Sequence, residues 1–144
     1  MKYLNVLARV LIAIIFLVSG FTKFVNFQGM VGMGVSAGLP APEASIAIAA
    51  ILEVLGGLAL LLGWQVHWAS MALFLYLIPT TLIFHAAHLR EPAQSQMQIM
   101  EVLKNLAIMG GLLKLYVDAA SEAAGHAAPP VGAQVWEMPR RRAS

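Results

Sequence analysis

The stretch SIAIAAILEVLGGLALLLG, residues 45–63, decides the fold class, because Glu53 is its only charged side chain. About 20 apolar residues span the roughly 30 Å hydrocarbon core of a bilayer. A backbone in lipid must satisfy its own hydrogen bonds, so this segment is predicted to be a transmembrane helix. Three further segments of similar length and composition are predicted to be spans: residues 3–22, 66–87 and 99–117.

The composition of the whole chain agrees with that prediction. Of its 144 residues, 60% are hydrophobic and 11% are charged, whereas a soluble domain has about 25% charged residues. We therefore predict an all-α integral membrane four-helix bundle over residues 1–118, followed by a flexible cytoplasmic tail over residues 119–144. The lipid bilayer is the first predicted partner. The short arginine cluster at residues 140–142 fits anionic lipid headgroups better than nucleic acid.

The orientation follows from the lysines and arginines, which are enriched in short cytoplasmic loops. Lys2, Arg9, Lys114 and the arginine cluster would share one side of a four-span bundle, and Lys23 and Arg90 the other. Both termini are therefore predicted to be cytoplasmic. A cleaved signal peptide is the alternative for the first segment, but its length favours a retained span.

Polar side chains inside the predicted spans mark a candidate site. A charge at mid-span costs about 2.5–3.5 kcal/mol, so such residues normally face the bundle interior and serve a purpose. Glu53 lies near mid-membrane, and the other spans place their polar groups in the outer half. We predict one internal pocket that opens outward, with Glu53 at its floor. Its predicted members are Glu53, His85, Lys104, Asn105, Lys23, Glu101, Ser19 and Thr22.

A structural role is the main alternative for these residues. Glu53 and Lys104 would then form a buried ion pair that fixes the helix register, and His85 would be a hydrogen-bonded interior histidine. No metal site is predicted, because only His85 and His88 lie together with metal-ligand spacing. The chain has no cysteine, which excludes thiolate and iron–sulfur chemistry within it. No catalytic residue and no intrinsic cofactor are identified.

Five motifs resemble the DoxX family of small four-helix bacterial membrane proteins. They are FLVSGFTK (16–23), GLP (38–40), EVLGGLALLLG (53–63), FH (84–85) and KNLAIMGGLL (104–113). The resemblance covers about residues 7–115 and implies a bundle in the bacterial cytoplasmic (inner) membrane. It also implies a loose redox connection. Relatives include membrane subunits of an archaeal thiosulfate:quinone oxidoreductase, and a mycobacterial member that assembles with a thiosulfate sulfurtransferase and a superoxide dismutase. The family motif falls on Lys23, Glu53, His85, Lys104 and Asn105.

Three functions follow as hypotheses. The first is an accessory component of a membrane-associated oxidoreductase system, which binds a quinone or another small molecule and works with an oxidoreductase or sulfur-metabolism partner protein. The second is a non-enzymatic scaffold that anchors or stabilises a partner. The third is a small-solute or proton pathway. No self-contained catalytic motif indicates an enzyme. Because four helices make a thin bundle, a homo-oligomer is also considered.

Overall fold

A computed structural model describes residues 2–85 and 95–127. This part of the chain is helical and holds no strand, which confirms the all-α prediction. The helices, in chain order, are α1 (Lys2–Val25), α2 (Phe27–Ser36), α3 (Pro42–Leu62), α4 (Val66–Thr80), which continues as a π-helical turn (Thr81–His85), and α5 (Ser95–Ala127).

Three of the helices are long and apolar enough to cross a membrane: Tyr3–Val25, Pro42–Leu62 and Val66–Phe84. The predicted fourth span lies within α5, which is less apolar because it carries Glu101, Lys104 and Lys114. Nevertheless α5 packs against α4, the π-helical turn and α1. The four long helices therefore form one bundle, in which α1 lies between α3 and α5, and α4 lies between the same two helices on the opposite side.

Glycines set the spacing between the helices. A Cβ atom on Gly20 would lie 3.1 Å from the Ala50 carbonyl oxygen of α3, and one on Gly57 would lie 3.0 Å from Leu17 of α1. Small residues at such contacts let two helices approach closely. Gly56 serves a different neighbour, because a Cβ atom there would lie 2.8 Å from Leu73 of α4. The predicted glycine pair thus packs α3 against two helices at once.

The core of the bundle is filled by apolar side chains. All four long helices contribute to this core, and its most deeply buried large members are Phe16, Leu60, Leu73 and Leu112. Ser70 is a polar exception: it is fully buried, and among the described residues its hydroxyl has no hydrogen-bond partner. The His67 ring stacks on Tyr116 at 4.5 Å. This packing agrees with the apolar inner half that the sequence indicates.

The turn between α3 and α4 lies at one membrane interface, at the ends of two apolar helices. Gly63 has φ 72°, and the Trp64 and Gly63 N–H groups donate to the Ala59 and Leu60 carbonyls, which is a Schellman C-cap. Trp64 and Trp68 are exposed there, as expected of tryptophans at the headgroup level. The Arg9 guanidinium lies against Gly63, so this arginine reaches the same interface.

The long connection of residues 23–44 is more ordered than the sequence analysis predicts. It contains α2, whose Val31 and Gly34 are buried and which packs mainly against α3. Helix α3 begins at Pro42, where a proline is favourable because its missing N–H would have no partner within the helix. Further along, Pro79 lies inside α4, and the helix changes to π geometry at Thr81, just after it. A proline cannot supply its backbone N–H and crowds the preceding turn, which explains the predicted irregularity at this point.

The predicted boundary between bundle and tail is wrong for its first residues. The sequence predicts a flexible tail from residue 119, but α5 continues to Ala127. Alanine has the highest helix propensity of all residues, and positions 119, 120, 123 and 124 are alanines. The alanine content that was interpreted as unstructured therefore extends the helix. Residues 128–144 lie outside the described part.

Candidate ligand-binding site

The centre of the candidate site is the carboxylate of Glu53, whose exposed fraction is 3%. Its Oε2 atom accepts a hydrogen bond from Lys23 Nζ at 2.8 Å, and its Oε1 atom accepts one from the Tyr76 hydroxyl at 2.8 Å. Lys23 Nζ also donates to Ser19 Oγ at 2.8 Å. Both carboxylate oxygens are thus engaged, and one polar network joins α1, α3 and α4.

This network corrects the predicted ion pair between Glu53 and Lys104. Glu53 pairs with Lys23, and Lys104 pairs with Glu101 one turn away on its own helix. The reason lies in the helix arrangement. The glycine contacts bring α1 close to α3, whereas the described parts of α3 and α5 do not contact each other.

Asn105 forms a second polar link between helices. Its Nδ2 atom donates to Thr81 Oγ1 at 3.0 Å, and both residues are buried. Thr81 is the first residue of the π-helical turn. The irregular geometry after Pro79 therefore begins where α5 is attached by a buried hydrogen bond. Departures from α-helical geometry of this kind occur frequently at functional sites.

A cavity of about 660 Å³ lies between these networks. Most of its walls are apolar, with side chains from α1, α2, α3, α4 and α5. Its polar lining residues are Ser19, Lys23, Ser45, Glu53, Tyr76, Thr80, Glu101, Lys104 and Asn105. The charged groups among them are two carboxylates and two ammonium groups, which form the two ion pairs described above. The described lining therefore carries no net charge.

The structure brings six of the eight predicted site residues to this cavity: Ser19, Lys23, Glu53, Glu101, Lys104 and Asn105. Thr22 is not among them. It is exposed, and its hydroxyl donates to the Val18 carbonyl of its own helix. Thr22 therefore does not line the cavity with Ser19 and Lys23, although it was predicted to belong to the pocket. The side chain of His85, and all of His88, lie outside the described residues.

Three polar lining residues were left out of the predicted site: Ser45, Tyr76 and Thr80. Among them, Tyr76 supplies the second hydrogen bond to Glu53. Thr80 lies one turn beyond Tyr76, and its hydroxyl donates to the Tyr76 carbonyl oxygen. The signal available in the sequence was this polar pair at i,i+4 spacing. A tyrosine in an apolar helix does not stand out by hydropathy, which explains the omission.

No group of three or more His, Cys, Asp or Glu residues within the described ranges could hold a metal ion. The prediction that the chain has no metal site stays a prediction, because several such residues lie outside those ranges. The described residues form a largely apolar cavity that has hydrogen-bonding groups on its polar side.

Comparison with known proteins identifies the family. The profile of the DoxX family matches residues 4–86. The chain belongs to the DoxX family. Lys23, Glu53, Tyr76 and Thr81 of this DoxX protein lie inside the matched segment, and α5 lies beyond it.

Two relatives of this DoxX protein come from Escherichia coli (strain K12). It is 27% identical over 114 residues to the inner membrane protein YphA, a match that covers 79% of this chain and 81% of YphA. It is 31% identical over 114 residues to the inner membrane protein YqjF, covering 76% of this chain and 79% of YqjF. No solved structure gives a significant match. With its apolar helices, this DoxX protein is a multi-pass protein of the bacterial inner membrane.

Proposed function

We propose that this DoxX protein binds a membrane-dissolved small molecule of the quinone class in its cavity, as an accessory component of an oxidoreductase system. The observation that supports this proposal is the shape and chemistry of the cavity. About 660 Å³ falls within the roughly 300–1,000 Å³ typical of small-molecule sites, which are mostly apolar with a few placed polar groups. A quinone has the same division between an apolar body and polar carbonyls.

The polar lining residues divide into donors and an acceptor. A lysine ammonium has three N–H donors and an asparagine amide has two, whereas Lys104 and Asn105 each make one described hydrogen bond, to Glu101 and Thr81. Their further donors would bind a ligand carbonyl. Glu53 and Tyr76 share a hydrogen bond, so this pair would hold or pass a proton at the ligand's oxygen.

The electrons for a redox reaction would come from a partner. The chain contains no cysteine, so it cannot supply a thiol pair or a cysteine-ligated cluster of its own. Family resemblance suggests an oxidoreductase or a sulfur-metabolism protein as that partner. In this proposal the chain binds and positions the small molecule, and the partner carries out the oxidation or reduction.

The test is to extract the protein from native membranes directly into lipid nanodiscs and to identify co-purified small molecules by mass spectrometry. Glu53→Gln is compared with Glu43→Gln, a control on the same helix whose side chain is exposed outside the cavity. We expect a quinone in the wild-type and Glu43→Gln samples and less of it with Glu53→Gln. Absence of any quinone from wild type, together with unchanged quinone reduction in membranes that lack the protein, would contradict the proposal.

A scaffold role is the second candidate, supported by the full engagement of Glu53. Glu53 of α3 accepts hydrogen bonds from Lys23 of α1 and from Tyr76 of α4, and the Lys23 ammonium also donates to Ser19 one turn earlier in α1. A structural lock requires that the charged groups be engaged in this way. A scaffold predicts that Glu53→Gln lowers the yield of a complex without changing the specific activity of the bound partner. The quinone proposal predicts instead that the activity of the complex falls.

A small-solute or proton pathway has less support. The side chains of Leu60, Leu73 and Leu112 are completely buried in the apolar core, outside the cavity lining. A continuous polar route would have to pass through them. Uptake into proteoliposomes that is sensitive to Glu53→Gln would favour this function despite the apolar core.

A further inference from the structure

The faces that α1 and α5 turn toward each other are two stripes of side chains at helical spacing. On α1, from the inner side outward, the stripe is Ala8, Ile12, Ile15 and Ser19. On α5, in the same direction, it is Gly111, Ile108, Lys104 and Glu101. The outer members of both stripes line the cavity, whereas Ala8, Ile12 and Gly111 do not.

The two stripes touch at their inner ends. A Cβ atom on Gly111 would lie 2.8 Å from Ile12 Cδ1, so the helices are in close contact there. One turn further outward, Ile15 lines the cavity and is 42% exposed. On α5, Ile108 lines the cavity one turn outward from Gly111, and the Lys104 side chain, two turns outward, lines it as well and is 49% exposed. We conclude that α1 and α5 diverge toward the outer side of the membrane.

The divergence leaves an opening in the side of the bundle. Ile14 and Val18 are exposed on α1 and still belong to the cavity lining. Because α1 is a membrane-spanning helix, exposed apolar side chains along its middle face hydrocarbon rather than water. The cavity is therefore continuous with the lipid through a lateral cleft, bordered by Ile15 and Val18 on α1 and by Lys104 on α5.

We infer that the cavity is filled from the bilayer through this lateral cleft, by a lipid-dissolved amphiphile with an uncharged polar head. The inference rests on the proposed function, since it concerns how the bound molecule reaches the site. Two observations favour an uncharged head. The charged groups of the described lining are already paired with each other, and α2 borders the cavity with Met30 and Met33, which would not replace the water shell of an ion.

The absence of cysteine from the chain allows the cleft to be closed by design. The double variant Val18→Cys/Ile108→Cys places one thiol on each side of the cleft and leaves the polar residues of the cavity unchanged, and a short bis-methanethiosulfonate reagent links the two thiols. The probe is a photoreactive azido-ubiquinone with a decyl tail, dissolved in the nanodisc lipid. Peptides from the cavity walls that carry the probe are quantified by mass spectrometry. Leu11→Cys, on an exposed part of α1 outside the cavity lining, is the control for the reagent.

The order of addition separates access from binding. When the cleft is closed before the probe is added, we expect cavity labelling to fall roughly tenfold or more, since access would then need a slow rearrangement. When the probe is added before closure, labelling should equal that of the unlinked variant. The Leu11→Cys control should be labelled like wild type in both orders. If the unlinked double variant is not labelled like wild type, Val18→Cys/Glu101→Cys closes the same cleft.

Two results would overturn the inference, and they are distinguishable. Equal labelling whether the cleft is closed before or after addition contradicts lateral access but leaves the proposed function intact. No labelling of the cavity in the unmodified wild-type protein contradicts the proposed function, and the inference fails with it.

Discussion

Lys23 and Glu53 are 30 residues apart in the chain, yet Lys23 Nζ lies 2.8 Å from Glu53 Oε2. The pair joins the end of α1 to the middle of α3. Glu53 is almost completely buried, and the Lys23 side chain is only 14% exposed. Neither charge has ready access to water, so each depends on the other and on the hydroxyls of Ser19 and Tyr76.

We predict that Glu53→Leu alone destabilises the protein more than Lys23→Met/Glu53→Leu together. Removing one partner of a buried ion pair costs about 3–5 kcal/mol, because an uncompensated charge remains, whereas apolar replacement of both partners is often nearly neutral. Thermal unfolding in a mild detergent, followed by circular dichroism, compares both variants with wild type. A double variant less stable than the single one would show that the pair is not the source of the effect.

Tyr76→Phe is expected to destabilise the protein by about 1.5–3 kcal/mol, since it removes a hydrogen bond to a charged group and leaves Glu53 Oε1 without that donor. The phenyl ring keeps the same packing. Tyr3→Phe is the matched control, because Tyr3 is almost fully exposed at the start of α1. Equal unfolding temperatures for the two variants would contradict the role assigned to the Tyr76 hydroxyl.

Two glycines should respond in opposite ways to alanine. A Cβ atom on Gly20 would lie 2.8 Å from Val54 Cγ2, whereas one on Gly110 meets no atom within 4 Å. Alanine gains about 1 kcal/mol over glycine in a helix interior. We therefore expect Gly110→Ala to raise the unfolding temperature and Gly20→Ala to lower it, because the contact between α1 and α3 must open. Stabilisation by Gly20→Ala would show that this contact is loose.

The hydrogen bond between Asn105 and Thr81 can be tested by a double-mutant cycle. Asn105→Leu and Thr81→Val should each destabilise the protein, and the double variant should be less destabilised than their sum. Residues in direct contact typically show coupling energies of about 0.5–3 kcal/mol. Chemical unfolding of the four proteins measures this term. Additive effects would mean that the bond does not hold α5 to the π-helical turn.

The sequence predicted the cavity's polar residues better than their pairing. Glu53, Lys23, Lys104 and Asn105 stand out because charged and amide side chains are costly in lipid, so helical spacing was enough to assign them to the interior. Which groups meet depends on which helices are neighbours. The glycine contacts of Gly20 and Gly57 bring α1 to α3, and this contact selects Lys23, rather than Lys104, for Glu53.

The errors at the chain's less apolar segments have a similar origin. The end of α5 was predicted to belong to a flexible tail, and α2 was not predicted as a helix. In α2, burial of Val31 and Gly34 offsets the low helix propensity of its glycines. This stabilisation comes from packing against other helices, so it cannot be predicted from the sequence of α2 alone. In α5, alanine propensity itself extends the helix past the predicted boundary.

The sequence by itself determined that the protein is an all-α membrane bundle, because the cost of an unsatisfied backbone in lipid acts on each apolar segment separately. It also determined that Glu53 faces the interior. Only the tertiary structure decided that Glu53 binds Lys23 and Tyr76, and that Ile12 of α1 meets Gly111 of α5. Those features depend on how closely two helices approach, which is set by contacts between residues far apart in the chain.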